Sequence, residues 1–141
     1  MKALKWMLVF LIAAGGCSSA KNAYHALGEL QQLQSDLVTQ TRESNISVRI
    51  VNGRYLTIGL INSDLKDLPA GPKKEKALEI AKYAFDHYKD RDRLEAVGVS
   101  FVVYKSYVIF HYTNSTDCYN FRTTLLKAST ERNGPERRNA I

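Results

Sequence analysis

The stretch ISVRIVNGRYLTIGLINS, Ile46–Ser63, constrains the fold more than any other part of the chain. Apolar residues alternate on both sides of an Asn-Gly pair, the pattern of a half-buried β-hairpin. A tight turn made of Asn52 and Gly53 alone would set Leu56, Ile58 and Leu60 on the face of Ser47, Arg49 and Val51. A one-residue slip moves every side chain to the other face. A longer loop, Val51–Asn52–Gly53 with Gly53 in the left-handed region, is therefore preferred. It gathers Ile46, Val48, Ile50, Leu56, Ile58 and Leu60 on one apolar face. Such a face must be covered by a second layer.

Pro69, Gly71 and Pro72 break the chain after this hairpin, and Pro72 suits the start of a helix. From Lys73 to Lys89, Ala77, Ile80, Ala81, Ala84, Phe85 and Tyr88 recur at helical spacing. Their small alanines let a helix lie close to a sheet. EAVGVSFVVY and YVIFHYT then read as a second hairpin around Lys105–Ser106, with Tyr104 opposite Tyr107 and Phe101 opposite Phe110. Asn114–Asp117 reads as a turn, and Cys118–Leu126 fits a strand or a helix equally. Upstream, Ala23, Leu27, Leu30, Gln34 and Leu37 recur at helical spacing, with Leu33 beside them, and mark an N-terminal helix. The expected fold is α+β: an antiparallel four-stranded sheet, hairpin–helix–hairpin, with one amphipathic helix on its apolar face, plus the N-terminal helix.

The chain has 141 residues, enough for one core. Its net charge of +6 is concentrated at the ends: Lys2 and Lys5 near the start, and Lys127, Arg132, Arg137 and Arg138 near the finish. No dense basic patch of the kind that tracks a phosphate backbone is present, so no nucleic-acid partner is expected.

Met1–Lys5 is a short cationic segment, and Trp6–Ala14 is an uncharged run too short to span a bilayer. AAGGC follows, ending in Cys17. This stretch resembles the lipobox of bacterial lipoproteins: Gly16 and Cys17 match, Ala14 stands where leucine is commoner, and Gly15 where alanine or serine is commoner. The resemblance implies cleavage before Cys17, acylation of Cys17 and anchoring in the bilayer. With Ser18 next, it implies an outer-membrane address facing the periplasm. The alternative is ordinary signal cleavage and secretion, with Cys17 free to pair with Cys118. If Cys17 is lipidated, Cys118 is expected to be a buried small residue. The block Ile46–Tyr112 also loosely resembles small uncharacterised bacterial lipoproteins, which brings no activity with it. The expected organisation is a signal peptide over 1–16, a lipidated cysteine, tether and N-terminal helix over 17–45, an α+β domain over 46–128, and a disordered basic tail over 129–141.

No glycine-rich phosphate loop, HExxH or CxxC occurs, so neither metal nor cofactor is expected. Ser100 and His111 fall on one face of the second hairpin, which leaves a small hydrolase as an alternative. A carrier of a small apolar ligand between sheet and helix is another. The face turned away from the helix carries Tyr55, Thr57, Tyr104, Tyr107, Ile109 and His111, a set suited to recognition. The leading expectation is a non-enzymatic, lipid-anchored envelope module that binds a partner, an envelope protein among them, through that face.

Overall fold

A computed structural model describes residues 17–106 and 111–132. The leader at 1–16, Tyr107, Ile109 and the tail from 133 lie outside the described residues, as do the side chains of Cys17 and His111. The element order is α1 (Cys17–Thr41), β1 (Ile46–Val51), β2 (Tyr55–Ile61), a 3-10 turn (Asp64–Asp67), α2 (Ala70–His87), a second 3-10 turn (Arg91–Arg93), β3 (Ala96–Ser106), β4 (His111–Arg122) and α3 (Thr123–Arg132).

The chain is α+β. Its four strands form one sheet in the order β1-β2-β3-β4. The β1–β2 pair is an antiparallel hairpin, as its alternation requires, with Ile46↔Leu60, Val48↔Ile58 and Ile50↔Leu56. Asn52 and Gly53 both take positive φ, 52° and 67°, as a type I′ turn demands. The Arg54 N–H closes that turn on the Val51 carbonyl at 3.1 Å. Pairing resumes at Val51↔Tyr55, so the extra residue is Arg54 and the loop is Asn52–Gly53–Arg54. The apolar face is the expected one, but the pairing lies two residues from the expected register.

The sheet is not wholly antiparallel. β2 and β3 run parallel, from Tyr55↔Ala96 to Ile61↔Val102. The α2 crossover explains this: a strand, a helix of 18 residues and a return strand form a βαβ unit. The second hairpin is also longer than its apolar residues suggest. Tyr104 pairs with Thr113 and Val99 with Tyr119, with a bulge between Phe101 and Val102. Asn114–Asp117 is thus strand rather than turn. This polar edge strand is held because its alternate residues Tyr119 and Phe121 pair with Val99 and Val97 on the core face, while Cys118, Asn120 and Arg122 face the open side. The segment Cys118–Leu126 divides into both expected forms, strand to Arg122 and helix from Thr123.

The helices share one face of the sheet. Leu56, Leu60, Val97, Val99 and Phe101 are fully buried beneath Ala77, Ala81 and Ala84 of α2, which are also at 0% exposure. Each large side chain removed from water in this way contributes about 1.5–3 kcal/mol. Leu33 and Leu37 of α1 and Leu126 of α3 join the same core. The second half of α1 is therefore part of the folded body, and the helix also takes in Ser18–Asn22, where a tether was expected. The body also extends past residue 128, since α3 is helical to Arg132 and replaces the disorder expected there.

Lys73 completes the buried stripe of α2, four residues before Ala77. Its Nζ lies 2.6 Å from Asp117 Oδ2 of β4 and 6.0 Å from the centre of the Phe101 ring. This ion pair fastens the first turn of α2 to the edge strand.

Candidate functional site

The alternation that buries one face of the sheet presents the other. Among the described residues, no helix packs on that second face. The register aligns its residues in rows across the strands: Ser47, Gly59, Ser100 and Cys118 form one; Arg49, Thr57, Gly98 and Asn120 the next; Val51, Tyr55, Ala96 and Arg122 a third. Ser47, Arg49, Thr57, Gly59, Ser100 and Tyr104 are among the residues bounding an open trough of about 490 Å³.

Two glycines shape its floor. A Cβ on Gly59 would meet Ser47 Oγ at 2.6 Å, and one on Gly98 would meet Asn120 Oδ1 at 2.8 Å. The serine hydroxyl and the asparagine amide therefore lie down over the two glycines, which keeps the surface low and polar. The Thr57 hydroxyl donates to the Arg49 carbonyl at 3.3 Å and the Ser100 hydroxyl to the Ile58 carbonyl at 3.4 Å.

Tyr55 and Tyr104 are 41% and 40% exposed and stand toward opposite ends of the face. The Tyr55 hydroxyl donates to Glu95 Oε2 at 2.6 Å, and Arg54 Nη1 donates to Glu95 Oε1 at 2.9 Å. The Tyr55 hydrogen bond holds the Glu95 carboxyl below its ordinary range, aided by Arg54. The same carboxylate pushes the Tyr55 phenol above its ordinary value. At the other end, Asn62 adopts positive φ, which asparagine tolerates. Its amide donates to the Tyr104 carbonyl at 2.9 Å and accepts from the Tyr104 N–H at 2.8 Å. The side chain so imitates a peptide unit and extends the β2–β3 ladder by one position.

Of the residues expected on the recognition face, the structure places Tyr55, Thr57 and Tyr104 there. Tyr107 and Ile109 lie outside the described residues; His111 is placed by its backbone, opposite Ser106. The expected Ser100–His111 pairing is not formed, because Ser100 pairs with Cys118. Six residues of β3 separate the two register positions, about 20 Å at 3.3 Å per residue. Cys118 is an exposed free thiol rather than a buried one. Between sheet and α2 the space is filled by the alanine stripe and Phe85, and an apolar ligand carried there would have to displace them.

Arg49, Asn120, Arg122 and Glu95 belong to this face or its rim and were not singled out by sequence reasoning. Arg49 was legible, since it alternates with Val48 and Ile50. Asn120 and Arg122 were hidden by the ambiguity over Cys118–Leu126. No protein-family model, curated protein or solved structure matches the chain. No described helix is long and apolar enough to cross a membrane, and no described group of three or more His, Cys, Asp or Glu residues could hold a metal ion.

Proposed function

We propose that this chain is a lipid-anchored module of the bacterial envelope, acylated at Cys17, which presents the open face of its sheet to a partner without performing catalysis. One observation carries the anchoring: the lipobox-like AAGGC ends at the residue that begins α1. Among the described side chains of α1, the first that pack on the core are Leu30 and Leu33. Thirteen residues of helix set Cys17 about 20 Å from those contacts, a distance suited to a stalk. Glu29 of α1 pairs with Lys89, just past the end of α2, at 3.2 Å, while Leu37 and Thr41 lie beside Lys76 and Tyr83. The helices thus run antiparallel, and the anchored end of α1 projects beyond the C-terminal end of α2. Two or three acyl chains on Cys17 hold a protein at a bilayer durably, where one chain binds only marginally.

The test is the intact mass of the mature N-terminus together with membrane fractionation. The expected result is a mature chain beginning at Cys17 with a diacylglyceryl and acyl adduct. Cys17→Ala should leave the precursor uncleaved or release the mature form from membranes. An unmodified thiol, or a bond to Cys118, would overturn the anchoring.

A further inference from the structure

Leu27 is left bare by the body: it is 56% exposed, while Leu33 and Leu37 further along α1 are buried. Among the described side chains of α1, none before Leu30 joins the core. The backbone is nevertheless helical from Cys17. A helical stretch this short is marginal in water unless a surface packs against it. Gly28 weakens it further, because glycine is a poor helix former. A Cβ at Gly28 would meet nothing within 4 Å, so the body does not compensate at that point. The first half of α1 therefore lacks the partner that its helical form requires.

Resting on the acylation of Cys17 assigned above, we propose that the partner is the bilayer itself: the stretch from Cys17 to Leu27 lies along the membrane surface as an interfacial helix. Residues three, four and seven apart share one face of an α-helix. Leu27, Tyr24, Ala20 and Cys17 stand in that relation, and Ala23 adjoins them. The cysteine that carries the acyl chains thus falls on the apolar face. Ser18, Asn22 and His25 take the opposite face, and Lys21 takes the flank, a position from which a lysine reaches lipid headgroups. No carboxylate occurs from Cys17 to Gly28, the first being Glu29. The stretch is therefore cationic and complements an anionic membrane surface. No described helix is long and apolar enough to cross a bilayer, so this one lies on it rather than through it.

A second copy of α1 fits this face less well. A coiled-coil seam needs large apolar residues sustained over several heptads. Here the seam offers Ala20, Ala23 and Leu27 before the body and Gln34 within it, since Leu30 and Leu37 are already packed on their own core. A bilayer asks for less. Attachment at Cys17 holds the helix at a high effective concentration over the surface, so a modest apolar face is enough.

The experiment uses the mature chain, beginning at Cys17 and carrying Cys118→Ser, coupled through the Cys17 thiol to a maleimide phospholipid. The vesicles contain phosphatidylethanolamine and phosphatidylglycerol, with or without brominated acyl chains. The chain's single tryptophan, Trp6, lies in the leader, so an introduced tryptophan reports alone. Leu27→Trp should be quenched at least twofold by the brominated lipid. Asn22→Trp, nearer the anchor but on the opposite face, and Lys74→Trp on α2 should be quenched at least fivefold less. Adding Ala23→Glu to Leu27→Trp should remove most of the quenching at an unchanged unfolding midpoint. Equal quenching at residues 22 and 27, quenching at residue 74, no quenching at residue 27, or a tryptophan there that is buried without quenching, as a second copy would give, would each overturn the proposal. Chemical coupling makes the result independent of acylation in the cell. An unmodified cellular Cys17 overturns the anchoring, and an unquenched residue 27 in the coupled chain overturns the interfacial helix, so the two failures are distinct.

Discussion

The two faces of the sheet are made by the same strands and differ only in which alternate residue is read. Leu56, Leu60, Val97, Val99 and Phe101 face the helices at 0% exposure, while Val51, Tyr55 and Tyr104 on the other side remain at least 40% exposed. One face carries apolar volume and a sequestered ion pair; the other carries hydroxyls, an amide, tyrosines and two arginines, Arg49 and Arg122, without a carboxylate partner among the described residues. The difference teaches that the buried core and the face proposed for recognition are separated here by a single step along each strand. Substitutions on the helix side should change unfolding, and those on the open side should change binding or leave only small marks on stability.

The largest effect expected is at Phe101, the biggest side chain that is fully buried. Phe101→Ala should lower the unfolding free energy by about 3–5 kcal/mol through lost burial and the cavity left behind. Urea denaturation measures this, and a loss under about 1 kcal/mol would erase the contrast between the faces.

Asp117 comes next. Asp117→Ala strands the Lys73 ammonium, whose side chain is 11% exposed, against Phe101. Removing one partner of a fully buried pair costs about 3–5 kcal/mol; with Asp117 itself 37% exposed, about 2 kcal/mol is expected. Lys73→Met combined with Asp117→Leu should recover most of that loss in the same assay, since no charge is then left without a partner.

A smaller effect sharpens the description of the open face. Gly59→Ala should cost about 1 kcal/mol through crowding of a packed position, because the new methyl meets Ser47 Oγ at 2.6 Å. Adding Ser47→Ala should relieve it, and a double-mutant cycle reads the coupling directly.

The smallest effect is pH-dependent and belongs to the rim. Glu95 titrates below its ordinary range in the folded chain because of the Tyr55 hydroxyl. Its contribution is therefore present above the ordinary carboxylate range and lost as pH falls through the folded value. Tyr55 titrates above its ordinary value, so the same contact is lost again as pH rises through that raised value. Tyr55→Phe should shift the urea midpoint slightly at neutral pH and leave it unchanged near pH 2. A shift that persists in acid would assign it to something other than the Tyr55–Glu95 contact.

Much of the covered face was legible in the sequence. The alternation in Ile46–Ile50 and Leu56–Leu60 and the alanine stripe of α2 each specify one buried side, and the structure uses those sides. The parallel pairing of β2 and β3 did not follow from alternation, which assigns faces and carries no strand direction; it lay in the strand–helix–strand order, which the antiparallel expectation passed over. The course of β4 was obscured for a different reason. Asn114, Asp117 and Asn120 have turn-forming side chains, yet here pairing with β3 outweighs that local preference. Lys73 was missed because a lysine on an apolar stripe reads as an interruption until its partner, 44 residues away, is in view. On the open face Tyr55, Thr57 and Tyr104 followed from alternation alone, whereas Arg122 and Asn120 needed the strand that the turn-like residues concealed.

The parallel seam also sets an order of events. Tyr55 cannot meet Ala96 until the intervening 40 residues have been made and brought round, whereas the β1–β2 hairpin closes over a three-residue loop. Non-local pairing of this kind slows folding, since the entropy of closing the chain is lost before the contacts form. Until its third strand arrives, the lone β1–β2 hairpin carries two unpaired edges and one bare apolar face, and it is open to self-association.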